Sequence, residues 1–240
     1  MTAPGLLSFA RTTRAAALLC FVLAVGCATA SAQRREADRI PTPAATPISG
    51  PAAPRASPAD TVEEVLEAAR AAVARGGGEV DGRLVPRDCS GFVRAIYRKA
   101  GIDLFVEGRN TDNGVRAIAR YVDRHGKWHR RRLPVGGDLV FFDNSYDRNG
   151  DGRLNDRFTH VGIVDHISAD GTAMILHATN HGIVLEPMNL LVPHDKTDAR
   201  GHQVNVALRR KTSRDSSRTP HLMSELFAGF ATLLPPPEGV

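Results

Sequence analysis

With 240 residues, a formal net charge of +5, 42% hydrophobic and 24% charged side chains, the chain has room for one well-packed domain and carries no strong field to gather polyanions. That balance, without any nucleic-acid motif, argues against a nucleic-acid partner. Three cysteines in all leave no framework for a disulfide-stapled fold.

The N-terminus reads as an export signal. Arg11 and Arg14 form a positive region, and Ala15 to Gly26 is an uncharged apolar run too short to span a bilayer in the mature protein. Residues 1–26 are expected to be removed, because Ala24-Val25-Gly26-Cys27 resembles the bacterial lipobox, whose cysteine becomes the acylated first residue. Ala30-Ser31-Ala32 offers an alternative cleavage after Ala32. The first route predicts an envelope lipoprotein held to the membrane through Cys27, the second a periplasmic or secreted protein. Without Arg11 and Arg14 the 31 basic residues fall to 29, against 26 acidic ones.

Residues 27–59 are rich in proline and alanine and read as an extended tether. The folded domain is expected over 60–210, followed by a polar run and a short apolar tail over 211–240. Within the domain, Val62, Val65, Leu66, Ala69 and Val73 are spaced for a helix that Asp60 caps and Gly76-Gly77-Gly78 ends. Cys89 to Ala100 reads as a second helix, with Phe92, Val93, Ile96 and Tyr97 on one face and Gly101 as its stop. Thr111 to His125 reads as a third. The dense basic run Arg130-Arg131-Arg132 is taken as a solvated loop.

After Trp128 the helical period ends, and the apolar residues come in short, branched or aromatic runs separated by turn residues. Strands are expected at Asp138–Phe142, His160–Ile167, Ala173–Ala178, Gly182–Glu186 and Val204–Arg209, and the apolar Leu222–Leu234 is read as a final helix. Helices first and strands after predict an α+β domain, with helices packed on a small antiparallel sheet.

Two sites suggest themselves. Cys20 and Cys27 belong to the leader region, so Cys89 is the one thiol left in the mature domain, where an oxidising compartment makes a free thiol a liability. It sits at a helix N-terminus, which favours the thiolate. His160 and His177, each in a strand, are the candidate base and orienting group; the other histidines have no such placement. The second site is Asp147, Asn149, Asp151 and Gly152, at positions 1, 3, 5 and 6 of an EF-hand-type calcium loop, with Arg153 supplying a carbonyl. Position 12 is Phe158, so Asp156, or Asp143 from the preceding strand, is the substitute ligand. The alternative is a surface turn rich in Asx and glycine.

The segment DCSGFVRAIYRKAGI, starting at Asp88, resembles the nucleophile motif of the NlpC-type, papain-like cell-wall peptidases. VGGDLVFF followed by THVGIV is similar to the strands leading to that family's catalytic histidine, and ILHAT to the strand of its third polar residue. The three motifs come in family order over roughly residues 61 to 210. The resemblance implies a papain-like α+β core with Cys89 as nucleophile, His160 as base and His177 as orienter, while Asp88 and Ser90 shape the substrate site. It also implies hydrolysis of amide bonds in peptidoglycan stem peptides, often next to D-glutamate. No cofactor is expected to be required for the chemistry, and the calcium suggested by the Asp147 loop would be structural. One departure bears on substrate: family members usually carry a tyrosine and a Gly-Gly pair about ten residues before the cysteine, and GGGEVDGRLVPR contains no aromatic residue. A different stem-peptide bond, or a different amide or thioester, therefore stays open. Two further readings are a catalytically silent wall-binding lipoprotein and a zinc site built from Cys89 and the two histidines. Oligomeric state is not legible.

Overall fold

The computed structural model describes residues 57–234, apart from 81, 132 and 214. The residues read as an export signal, the lipidation expected at Cys27 and all but the end of the expected tether lie outside the described residues. No described helix is long and apolar enough to cross a membrane.

Helix α1 spans Pro58–Ala74, and its cap is Ser57 rather than Asp60. The Ser57 hydroxyl accepts from Asp60 N–H while Asp60 accepts from Ser57 N–H, a reciprocal box that moves the start three residues upstream. Val62, Val65, Leu66, Ala69 and Ala72 are buried, as the helical spacing requires. A two-residue hairpin, β1 (Glu79–Val80) and β2 (Arg83–Leu84), follows; neither strand is long enough to leave a sequence signal. Helix α2 is Cys89–Lys99 and α3 is Gly114–His125, the latter capped by Asn113 and starting three residues later than expected. Phe92, Val93, Ile96 and Tyr97 of α2 are all fully buried, and the Tyr97 hydroxyl donates to Gly137 O at 2.6 Å.

The main sheet comprises β3 (Lys127–His129), β4 (Leu139–Phe142), β5 (His160–Ile167), β6 (Ala173–Thr179), β7 (Gly182–Met188) and β8 (Phe227–Thr232) in the order β3-β8-β4-β5-β6-β7. Every neighbouring pair is antiparallel, giving the α+β class predicted. Leu139 and Phe141 pack with the three helices, whereas Val140 and Phe142 pack with Val206, Met223, Leu226 and Phe230. Both faces of β4 are therefore covered, which is why its four residues read as a continuous apolar run.

Two expectations fail in the C-terminal part. Val204–Arg209 forms no strand; a single bridge joins Ala207 to Leu222. The apolar run read as a final helix is β8, inserted between β3 and β4, so the sheet takes in residues beyond position 210. A short run that is apolar on all sides has the same pattern as a buried helix or a buried strand, and only the empty slot in the sheet decides between them.

Candidate active site

Asp88 fixes the turn that begins α2. Its Oδ1 accepts the Gly91 N–H at 2.8 Å and the Ser90 hydroxyl at 2.6 Å, so both side chains next to Cys89 are committed to holding the turn. Gly91 has to be glycine, because a Cβ there would overlap Pro86. The loop thus folds tightly back on itself and leaves Cys89 as the first residue of the helix, partly buried.

The thiol reaches the start of β5. Burial is the main influence on it and pushes its pKa up to about 11. The Asp88 carboxylate acts in the same direction, while the backbone N–H groups of Val161, Ser90 and Cys89 itself oppose it. The helix terminus alone would favour the thiolate; here desolvation outweighs it. Val161 is the residue after His160, so the thiol lies against the strand end that carries that imidazole.

His160 and His177 meet across β5 and β6. Nε2 of His160 is 2.9 Å from Nδ1 of His177, with the rings at 87° to each other. Close approach of the two strands depends on Gly162, where a Cβ would fall 2.7 Å from Ile175 Cγ2 and 3.2 Å from His177 Cβ. His177 is fully buried, and its Nε2 lies 3.0 Å from Oε2 of Glu186 on β7. A carboxylate only accepts, so His177 Nε2 carries the proton and its Nδ1 is the acceptor for His160 Nε2–H. The neutral His160 is then left with its Nδ1 lone pair. Burial, and then the neighbouring His177, hold the His160 pKa well below 6.5. At neutral pH the resting pair is an uncharged thiol and an uncharged imidazole.

Glu186 was not singled out in the sequence. His177 pairs with Val184 and Ile175 with Glu186, which makes Glu186 a diagonal cross-strand neighbour of His177. The available signal was one acid in the otherwise apolar strand GIVLEPM.

The candidate calcium loop is held by its own side chains. Asp147 accepts the N–H groups of Gly150 and Gly152, both at 2.8 Å, while Asn149 accepts from Asp151 N–H and Asp151 from Arg153 N–H. Asp156 is buried and accepts from Arg148 N–H at 2.9 Å. Asp143 caps Phe158 N–H. Among the described residues no three His, Cys, Asp or Glu side chains form a group that could hold a metal ion. The zinc reading of Cys89, His160 and His177 therefore has no ligand set, the two imidazoles being hydrogen-bonded to each other.

A model of the NlpC/P60 family matches residues 75–200, more than half of the chain. No curated protein matches it. Among solved structures, one from Staphylococcus aureus subsp. aureus Mu50, described as similar to lipoprotein of the NLP/P60 family, is 24% identical with a TM-score of 0.33. The match covers 55% of this chain and 36% of that one, so this chain spans about a third of the length of that relative.

Proposed function

The chain belongs to the NlpC/P60 family, and on that premise we propose that it is an exported cysteine hydrolase cutting amide bonds in peptidoglycan stem peptides. One observation carries the reading: the hydrogen-bonded line His160–His177–Glu186 ends beside the only thiol of the described residues, at the start of a helix.

In this mechanism His160 Nδ1 takes the thiol proton as Cys89 Sγ attacks the amide carbon. The uncharged resting pair makes that transfer part of the reaction rather than a step already completed. Backbone N–H groups at the start of α2, with that of Cys89 foremost, face the developing oxyanion. The imidazolium then gives its proton to the leaving amine. Water, deprotonated by His160, releases the acyl group as a carboxylate and restores the thiol. His177 holds the His160 ring and Glu186 holds His177.

The export signal and the lipobox cysteine, Cys27, complete the proposal by placing the domain in the bacterial envelope on a membrane-anchored tether. The test is mass spectrometry of muropeptides after digestion of purified peptidoglycan. The wild-type protein is expected to release peptides cut at one bond, and Cys89→Ala to release none while melting like the wild type. Full activity in Cys89→Ala would remove the nucleophile assignment. No cut by the wild type would favour the silent wall-binding member of the family.

A further inference from the structure

Among the described residues only two that are not glycine have positive φ, Asn144 at 56° and Phe158 at 53°. They lie on the two arms of the loop between β4 and β5, and Phe158 is two residues before His160. Asparagine enters the left-handed region readily. A bulky aromatic residue stays there only where its surroundings hold it.

Both backbone groups and the ring of Phe158 are held. Its N–H donates to Asp143 Oδ1 at 2.8 Å, and its carbonyl accepts from Asn113 Nδ2 at 3.4 Å. The ring stacks on Trp128 and meets Phe141 edge-on, both at 5.7 Å between centroids. Thr159 follows, buried, with its N–H donated to Phe142 O at 2.9 Å and its Oγ1 accepting from Ser145 N–H at 2.8 Å. On the other arm Asn144 N–H donates to Asp156 O, and Asn144 Oδ1 accepts from Asp156 N–H, each at 2.8 Å. These bonds close the neck of the loop directly ahead of the base.

Two further ties come from beyond residue 200, where the family match ends. Asp143 N–H donates to Leu226 O at 2.9 Å, and the buried Arg209 donates from Nη1 to Asn144 O at 3.0 Å. Arg209 Nη2 is 3.8 Å from Asp215 Oδ1, and its Nε is buried without a hydrogen-bond partner. Burying a guanidinium with an unmet donor costs stability, and its shortest contact is the one to the neck. Glycine at 158 would adopt the same φ without strain, but would leave the chain ahead of His160 free to adopt others. A base that must sit 2.9 Å from His177 and against the Cys89 thiol needs one backbone position.

We propose that Phe158 and Arg209 are positioning residues for His160, locking the neck of the loop that delivers it. The inference rests on the hydrolase reading for its effect on rate, but not for its effect on the imidazole. The full chain, carrying isotope-labelled histidine, is followed by NMR at neutral pH through the His160 Nε2–H shared with His177. Turnover of soluble muropeptides gives kcat and KM for the same samples.

In Phe158→Gly the His160 N–H signal is expected to be lost to exchange with water, while the Val164 amide, bonded to Asp138 O, keeps its protection. Its kcat should fall about tenfold with KM within about twofold of the wild type. Phe158→Tyr, which keeps ring and backbone, should retain both signal and rate. Arg209→Met keeps the apolar stem without the donors and should lose about threefold in kcat, with Arg209→Lys restoring part. An unmoved His160 N–H in both Phe158→Gly and Arg209→Met would overturn the proposal. So would loss of a cooperative melt in both, since these side chains would then hold the core and not the base. If the wild type cuts nothing, the hydrolase reading falls and the imidazole signal alone decides the positioning. If both variants cut as fast as the wild type, the hydrolase reading stands and the positioning falls.

Discussion

Glu186 offers the sharpest test of how the site works, because removing it should change the chemistry without touching Cys89 or His160. Glu186→Ala deletes the acceptor of His177 Nε2–H, a bond of 3.0 Å to a fully buried ring. A hydrogen bond to a charged group contributes about 1.5–3 kcal/mol, and with the Glu186 side chain 34% exposed a discount to about 1–2 kcal/mol is appropriate. Expressed in the transition state, that is a loss of roughly 5- to 30-fold in kcat/KM. The pH profile separates catalysis from scaffolding. A negative charge behind His177 favours the imidazolium on His160, so its removal lowers the His160 pKa further below 6.5 and moves the acid limb of kcat/KM to lower pH. Glu186→Gln keeps an acceptor oxygen but not the charge, and should fall between the wild type and Glu186→Ala in rate. The assay is release of new amine ends from purified peptidoglycan at half-unit pH steps, with a thermal melt of each variant. If Glu186→Ala melts lower but keeps its rate and its acid limb, Glu186 is structural only and the relay is refuted.

Two further outcomes follow from the same structure, and a third tests the calcium reading of the sequence. The Cys89 thiol titrates near 9.0 when unfolded and at about 11 when folded, so stability tied to the neutral thiol is complete below pH 9 and is lost as pH rises to 11. Relative to Cys89→Ala, the wild type should lose up to ~2–3 kcal/mol over that window in urea midpoints, and parallel curves would refute the shift. Phe230 of β8 is fully buried, so Phe230→Ala should cost about 3–5 kcal/mol, and a chain ending at residue 210 should give no cooperative melt; a stable 60–210 fragment would return β8 to an accessory role. For the loop from Asp147 to Asp156, the sequence spacing expects 1 mM calcium to raise Tm by about 3–5 °C over EDTA, for a site of roughly 10⁻⁴ M affinity. An unchanged Tm would leave the loop held by its own hydrogen bonds alone.

The elements near the cysteine were the most legible. The start of α2 at Cys89 and both ends of β5 agree with the sequence reading, because a cap residue, a glycine stop and a short run of branched apolar residues are local signals. Boundaries went wrong where caps competed, as Ser57 did with Asp60. They also went wrong where pattern alone cannot choose a structure, as in β8. The candidate triad was readable as residue types in order. Its fourth member was not, since Glu186 acquires meaning only through the register that sets it diagonally from His177.

Composition and short-range spacing were enough for the solitary thiol of the domain, the helix that carries it and the α+β class. Tertiary structure decided which nitrogen of His160 is left free, by lining up two imidazoles and a carboxylate from three strands. It also decided that Cys89 rests as a thiol, because desolvation depends on what packs around the sulfur and not on its neighbours in the chain.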